Sequence, residues 1–183
     1  MEAVGYDLYC KMLNEAVRHL KGEGEEETYQ TTIDLNIDAY IPDSYIPNEY
    51  HKLDIYKRVA AIESKDDMED MTEELIDRFG DYPKKVEMLL EVAALKALAH
   101  KIYVTSIEQK GETYTFTMYE KAKVKPERIP GLLREFRDEL SFKADIENPC
   151  FIYCKKNKNR KNKTENPVEV VKKVLIGIKG LIA

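Results

Sequence analysis

The chain has 183 residues, a formal net charge of −5 and 34% charged residues, enough for one domain with a real core or for a domain with an appendage. The acidic balance argues against a dedicated nucleic-acid binder, whose affinity comes from neutralising phosphates. No apolar run approaches the length needed to span a membrane, the N-terminus lacks the regions of a signal peptide, and the three cysteines, Cys10, Cys150 and Cys154, fit free thiols in a reducing, cytoplasmic compartment.

Residues 6–21 read as a helix. Leu8, Tyr9, Met12, Leu13, Ala16, Val17 and Leu20 give it a broad apolar stripe, and the acidic linker 22–27 ends it. The stripe is wide for a helix followed by a linker, which predicts a packing partner elsewhere. Thr31 to Ala39 alternates Ile33, Leu35 and Ile37 with Asp34, Asn36 and Asp38, the pattern of a half-exposed strand. Two prolines make 40–47 a turn or an extended connection. Asn48 is placed to cap a helix running to about Glu63, with Tyr50, Leu53, Tyr56 and Ala60 on its inner face.

A second helix follows with almost no linker, so the two should pair tightly. It covers Ser64 to Gly80, with Ser64 as N-cap, Asp66 and Asp67 at the positive end of the dipole, and Gly80 at the C-cap. Met68, Met71, Thr72, Leu75, Ile76 and Phe79 form its apolar stripe. The outer face carries Asp66, Glu69, Asp70, Glu73, Glu74 and Asp77, answered only by Arg78. Like charges three and four residues apart each cost an isolated helix roughly 0.2–0.5 kcal/mol, so a helix optimised for itself would carry lysines there. Two readings stand on residues alone: a solvated face that keeps an acidic protein soluble, and a docking surface for a basic partner.

A third helix, about Lys84 to Lys101, is rich in Ala and Leu and should be the most buried. Strands at 103–109 and 112–119 flank the hairpin signal Lys110-Gly111. A helix at about 126–138 tolerates Pro126 in its first turn, while Pro130 predicts a late or irregular start. Strands at 140–146 and 150–155, a basic run from 155 to 163 and a closing helix at 168–182 complete the chain. The fold class is α+β: a helical half of three consecutive helices packed with a small antiparallel sheet of two hairpin-like strand pairs and a C-terminal helix.

No phosphate-binding loop, HExxH, GxSxG or CxxC occurs. His19, His51 and His100 are isolated in sequence. Cys150 and Cys154 lie on one face of a strand with no second ligand pair nearby, which favours two buried thiols over a metal site. An enzyme would need a cleft with convergent titratable groups, and carboxylate abundance alone does not supply one. Lys155, Lys156, Lys158, Arg160 and Lys161 form the weak alternative site, a nucleic-acid contact. No aromatic interleaves them to stack a base, and a solvated loop between a strand and the last helix is the stronger reading.

Three segments in order, Gly5–Val17 (GYDLYCKMLNEAV), Ile37–Ala60 (IDAYIPDSYIPNEYHKLDIYKRVA) and Glu73–Pro83 (EELIDRFGDYP), together resemble the C-terminal region of the bacterial transcription-repair coupling factor family. The likeness covers about residues 4–101. From Tyr103 onward it lies in the order of strands and helices more than in residues. It implies the terminal, non-catalytic regulatory domain of an ATP-driven DNA translocase that removes stalled RNA polymerase and recruits UvrA. ATP and Mg would bind the translocase domains, whose motifs this sequence lacks. Residues 1–27 would then be the terminal helix and linker of the translocase region, and 28–183 a single domain. In the family this domain packs on a UvrB-like module of the same protein and masks its UvrA-binding surface. The motif that carries the contact is matched here at Glu74 and Asp77, which would pair with arginines across the interface, with Asp70 and Glu73 as further candidates. The alternative from a different class is an accessory domain contacting nucleic acid through the basic loop.

Overall fold

The computed structural model describes residues 29–144, 149–155 and 166–182. The expected helix 6–21 and its linker, Cys10, and Lys156, Lys158, Arg160 and Lys161 of the basic run lie outside the described residues. Those described divide into a helical unit, residues 37–97, and a sheet unit made of 29–36 and 98–182.

In the helical unit, Asn48 caps α1 (Glu49–Ala60) as its sequence position predicts. Its side-chain oxygen accepts the backbone N–H of Tyr50 at 2.9 Å and of His51 at 3.1 Å. Ile55, Tyr56 and Val59 form the buried face. Tyr50 does not join them: it is 83% exposed, in the first turn, ahead of the buried positions. Helix α2 (Lys65–Phe79) begins in a capping box, with the Ser64 hydroxyl accepting the Asp67 N–H and the Asp67 carboxylate accepting the Ser64 N–H. Gly80 ends it at φ +78°, in the left-handed region that favours glycine. The buried stripe of α2 is narrower than its sequence suggests. Met71 and Leu75 are buried, Met68, Thr72 and Phe79 are half-buried, and Ile76 is exposed. Helix α3 (Lys84–Lys101) buries Val86, Leu89, Leu90, Val92, Ala93 and Leu95, residues spread around its circumference, so it is enclosed by neighbours on several sides. The proline-containing segment 40–47 is tied to these helices. Ile41 and Ile46 are buried, the Ile41 N–H donates to the Tyr56 hydroxyl at 2.9 Å, and the Lys52 ammonium is paired with Asp43.

The sheet unit holds one five-stranded sheet in the order β1-β2-β3-β5-β4. Its strands are β1 (Thr32–Asp34), β2 (Val104–Lys110), β3 (Thr113–Met118), β4 (Leu140–Lys143) and β5 (Cys150–Cys154). The two expected hairpin-like pairs, β2–β3 and β4–β5, are present and antiparallel, and a β3–β5 pairing fuses them into one sheet. Gly111, at φ +62°, makes the β2–β3 turn. The difference from a purely antiparallel sheet is β1, which runs parallel to β2 at the edge. It is also shorter than the alternation from 31 to 39 predicts. At Asn36 the backbone N–H leaves the ladder and bonds the Gln109 side chain instead, at 3.0 Å. Ile33, Ile107, Phe116 and Phe151 lie in register and are fully or almost fully buried, forming the core row of the inner face. Ser106, Thr117 and Cys150 form the next row on the other face. That placement corrects the reading of two buried thiols: Cys150 is half-buried and Cys154 exposed, because their shared face is the outer one.

A 3-10 turn (Pro126–Arg128) precedes α4 (Ile129–Glu135), so Pro130 falls in the first turn of the α-helix, where its missing N–H is harmless. Helix α5 (Pro167–Lys179) buries Val168, Val170, Val171, Val174, Leu175 and Ile178. It approaches α4 closely at Gly177, where a Cβ would stand 2.6 Å from Leu132 Cδ1 and 3.1 Å from Phe136 Cε2.

Candidate functional site

The acidic outer face of α2 is built on a helix fixed at both ends. The capping box satisfies its first turn. At the other end the Tyr45 hydroxyl lies 3.1 Å from the Leu75 carbonyl oxygen and 2.9 Å from that of Gly80. Burial raises the pKa of the Tyr45 hydroxyl, with the nearby Tyr82 and Asp81 adding to the shift, so it is a neutral donor at physiological pH. The ring packs edge-on to Phe79 at 6.0 Å between centroids. Carboxylates carried on such a helix keep their positions relative to one another.

The candidate residues of this face separate into two kinds. Asp70, Glu73 and Asp77 are exposed and make no ion pair among the described residues. Glu74 is different. Its side chain is only 21% exposed and is held by two guanidinium groups, Arg58 of α1 and Arg78 one turn along α2. Arg58 contacts both carboxylate oxygens through its two terminal nitrogens, and Arg78 reaches one of them at 2.7 Å. Burial alone would raise the pKa of this carboxyl. The hydrogen bonds from Arg78 and Arg58 and their positive charges outweigh it, and the net shift is downward. Arg78 thus answers Glu74 as its place in the sequence suggests, and Arg58 of α1 answers it as well.

Arg78 also lies 3.9 Å from Asp54 of α1 and 4.9 Å from the centre of the Phe79 ring. The contacts Arg58–Glu74 and Asp54–Arg78 follow one antiparallel register, so the charges that join α1 to α2 form a ladder. Arg58 was not singled out by sequence reasoning. Its signal was present: a short connection forces the two helices antiparallel, and Arg58 lies one turn beyond Asp54 on α1. Glu69 is also answered, by Lys65 at 2.8 Å in an i,i+4 pair.

Of the weaker basic site only Lys155 is described, half-buried just beyond β5. Among the described residues there is no group of three or more His, Cys, Asp and Glu side chains able to hold a metal ion, and no helix is long and apolar enough to cross a membrane.

A sequence profile described as the TRCF domain matches residues 35–129. The chain is similar to the transcription-repair-coupling factor of Bacillus subtilis (strain 168), 44% identical over 126 residues that make up 67% of this chain and 10% of that protein. It is also similar to that of Staphylococcus aureus (strain USA300), 42% identical over 146 residues, 79% of this chain and 12% of that protein. The chain thus spans about a tenth of the length of these curated relatives. Among solved structures, the crystal structure of the C-terminal domain of transcription-repair coupling factor superposes with a TM-score of 0.63 at 26% identity, covering 85% of this chain and 94% of that one.

Proposed function

The chain belongs to the TRCF domain family, the domain of transcription-repair coupling factors, and we propose that it acts there as a non-catalytic, autoinhibitory interaction domain. In this reading it docks through the outer face of α2 onto a UvrB-like module of the same longer protein and masks the UvrA-binding surface of that module. Residues 1–27 are the end of the preceding translocase region, residues 28–183 are the terminal domain, and the protein works in the cytoplasm. RNA polymerase and UvrA are then indirect partners, linked to this domain only through the state of the latch.

The observation that carries the reading is the row Asp70, Glu73 and Asp77, exposed and without an ion-pair partner among the described residues, on a helix capped at both ends. Its electrostatic self-repulsion is a cost that a solvated surface does not require and that a basic partner removes. A polar surface of this kind suits a contact that must open, since a partner needs only a few kcal/mol of differential binding to shift the equilibrium.

The test is charge reversal in the full-length protein. Glu73→Lys with Asp77→Lys is expected to expose UvrA binding while leaving the melting temperature of the isolated chain within about 2 °C, because surface changes of this kind cost little. A double variant that still hides UvrA would sink the latch. Glu74→Lys is the poorer probe, because it sets a third cation against Arg58 and Arg78 and perturbs the pairing of α1 with α2.

A further inference from the structure

Glu74, at the centre of the acidic face, is already engaged within the chain. Arg58 presents a two-pronged guanidinium to its carboxylate, the geometry in which arginine binds carboxylates most strongly and directionally. Arg78 adds the contact at 2.7 Å, and Asp54 lies 3.9 Å beyond it. These four groups sum to zero charge. A cation approaching Glu74 from outside meets two resident guanidiniums, whereas Asp70, Glu73 and Asp77 have no cation paired to them among the described residues. The two arginines are not equivalent. Arg78 shares α2 with Glu74 and stays beside it, while Arg58 reaches across from α1, with its own side chain 46% exposed and room to swing out.

We propose that Arg58 is a resident competitor for Glu74: in the undocked chain it occupies the carboxylate that a basic partner would take, and so sets how tightly the acidic face docks. The proposal rests on the docking role given above and adds a positioning residue to it. Docking is then an exchange of guanidiniums at Glu74, with Asp70, Glu73 and Asp77 supplying the attraction that needs no exchange. Because the exchange replaces one pair with a similar one, Glu74 contributes specificity of fit more than net affinity. A partner group that cannot reproduce the two-pronged contact leaves Arg58 in place.

The experiment measures binding of the chain to the UvrB-like module of the same protein, added in trans, for the wild type and for Arg58→Gln, Glu74→Gln and the double variant. Arg58→Gln is expected to tighten binding roughly two- to fivefold, the range of one exposed ion pair, and the gain is expected to vanish in the Glu74→Gln background. Weaker or unchanged binding by Arg58→Gln, or a gain that persists without Glu74, overturns the proposal. Asp77→Lys in the same series separates the two ideas. If it loses binding while Arg58→Gln gains nothing, the docking role survives and the competitor does not; if nothing binds, wild type included, both fall. Two further measurements guard against misfolding. Arg58→Lys, which keeps the charge but not the two-pronged contact, is expected to show part of the gain. An NMR titration of the Glu74 carboxyl needs no partner: its midpoint is expected to rise in Arg58→Gln, and an unmoved midpoint overturns the proposal.

Discussion

At the scale of single residues the charge ladder between α1 and α2 makes stability depend on pH in a definite direction. Glu74 has its folded-state pKa depressed, since the hydrogen bonds from Arg78 and Arg58 outweigh the effect of burial. A group of that kind stabilises the fold above its unfolded pKa and loses the contribution as pH falls through the folded value. Glu74→Gln is therefore expected to lower stability at pH 7 by about 1 kcal/mol or less, the scale of an exposed pair. The wild-type and variant melting curves should converge as the pH falls below the acidic range in which Glu74 titrates. A gap that persists unchanged in acid would mean that packing, not charge, is what the substitution removed. Tyr45 gives a second residue-level expectation. Tyr45→Phe keeps the ring against Phe79 but leaves the Leu75 and Gly80 carbonyls without the hydroxyl. It should cost about 1 kcal/mol in denaturant unfolding and speed hydrogen exchange in the last turn of α2. Of these features the sequence revealed the carboxylates and the N-cap residues, because both follow from local spacing. It did not reveal that Arg58 answers Glu74 alongside Arg78. That depends on a side chain sixteen positions away in the chain, whose facing is set by the helix pair and not by either helix alone.

At the scale of elements, periodicity located the helices but overstated their buried width. A helical wheel puts Ile76 with Thr72 and Phe79, and Tyr50 with Leu53, yet Ile76 and Tyr50 are exposed because a neighbouring element covers only part of each apolar arc. The strands show the same limit. Alternation from 31 to 39 describes residues able to extend, while the ladder itself stops at Asp34, where a partner side chain takes the next backbone donor. The parallel sense of β1 was beyond reach, since it pairs with a strand some seventy residues later. Shared facing of Cys150 and Cys154 followed from strand geometry, but which face of the sheet would be covered did not. Packing of α5 against α4 offers an element-scale test. In an exposed helix, replacing glycine by a larger residue gains helix propensity, but at Gly177 even a single added carbon would stand 2.6 Å from Leu132 Cδ1. Leu132 is itself buried and has little room to retreat. Gly177→Val is expected to destabilise the chain by about 1–3 kcal/mol, the usual cost of overpacking, as measured by denaturant unfolding. A neutral or stabilising result would show that Leu132 and Phe136 can repack.

At the scale of the whole molecule, the α+β class was legible because helices and strands are segregated along the chain, and the family was legible because its motifs are local. The division of the described residues into two units was not, because it depends on where α3 ends one set of contacts and begins another. If the acidic face docks as proposed, a measurement on the isolated chain can check the consequence for the longer protein. A latch between two parts of one polypeptide works at an effective concentration of about 1 mM when the linkage is short and flexible. A trans dissociation constant of about 100 μM would then leave the protein closed roughly ten to one, which is enough to mask a surface and still easy to open. Nanomolar trans binding would instead hold the protein shut by about a million to one, beyond what an ordinary effector can shift. Binding of this chain to the UvrB-like module in trans is therefore expected in the range of tens to hundreds of micromolar. It should weaken as salt rises from about 50 to 500 mM, since the exposed carboxylates lose their reach when the screening length falls below 10 Å. Asp77→Lys with Glu73→Lys should abolish both the binding and its salt dependence. Tight, salt-insensitive binding would point to an apolar contact and away from α2, however acidic that helix is.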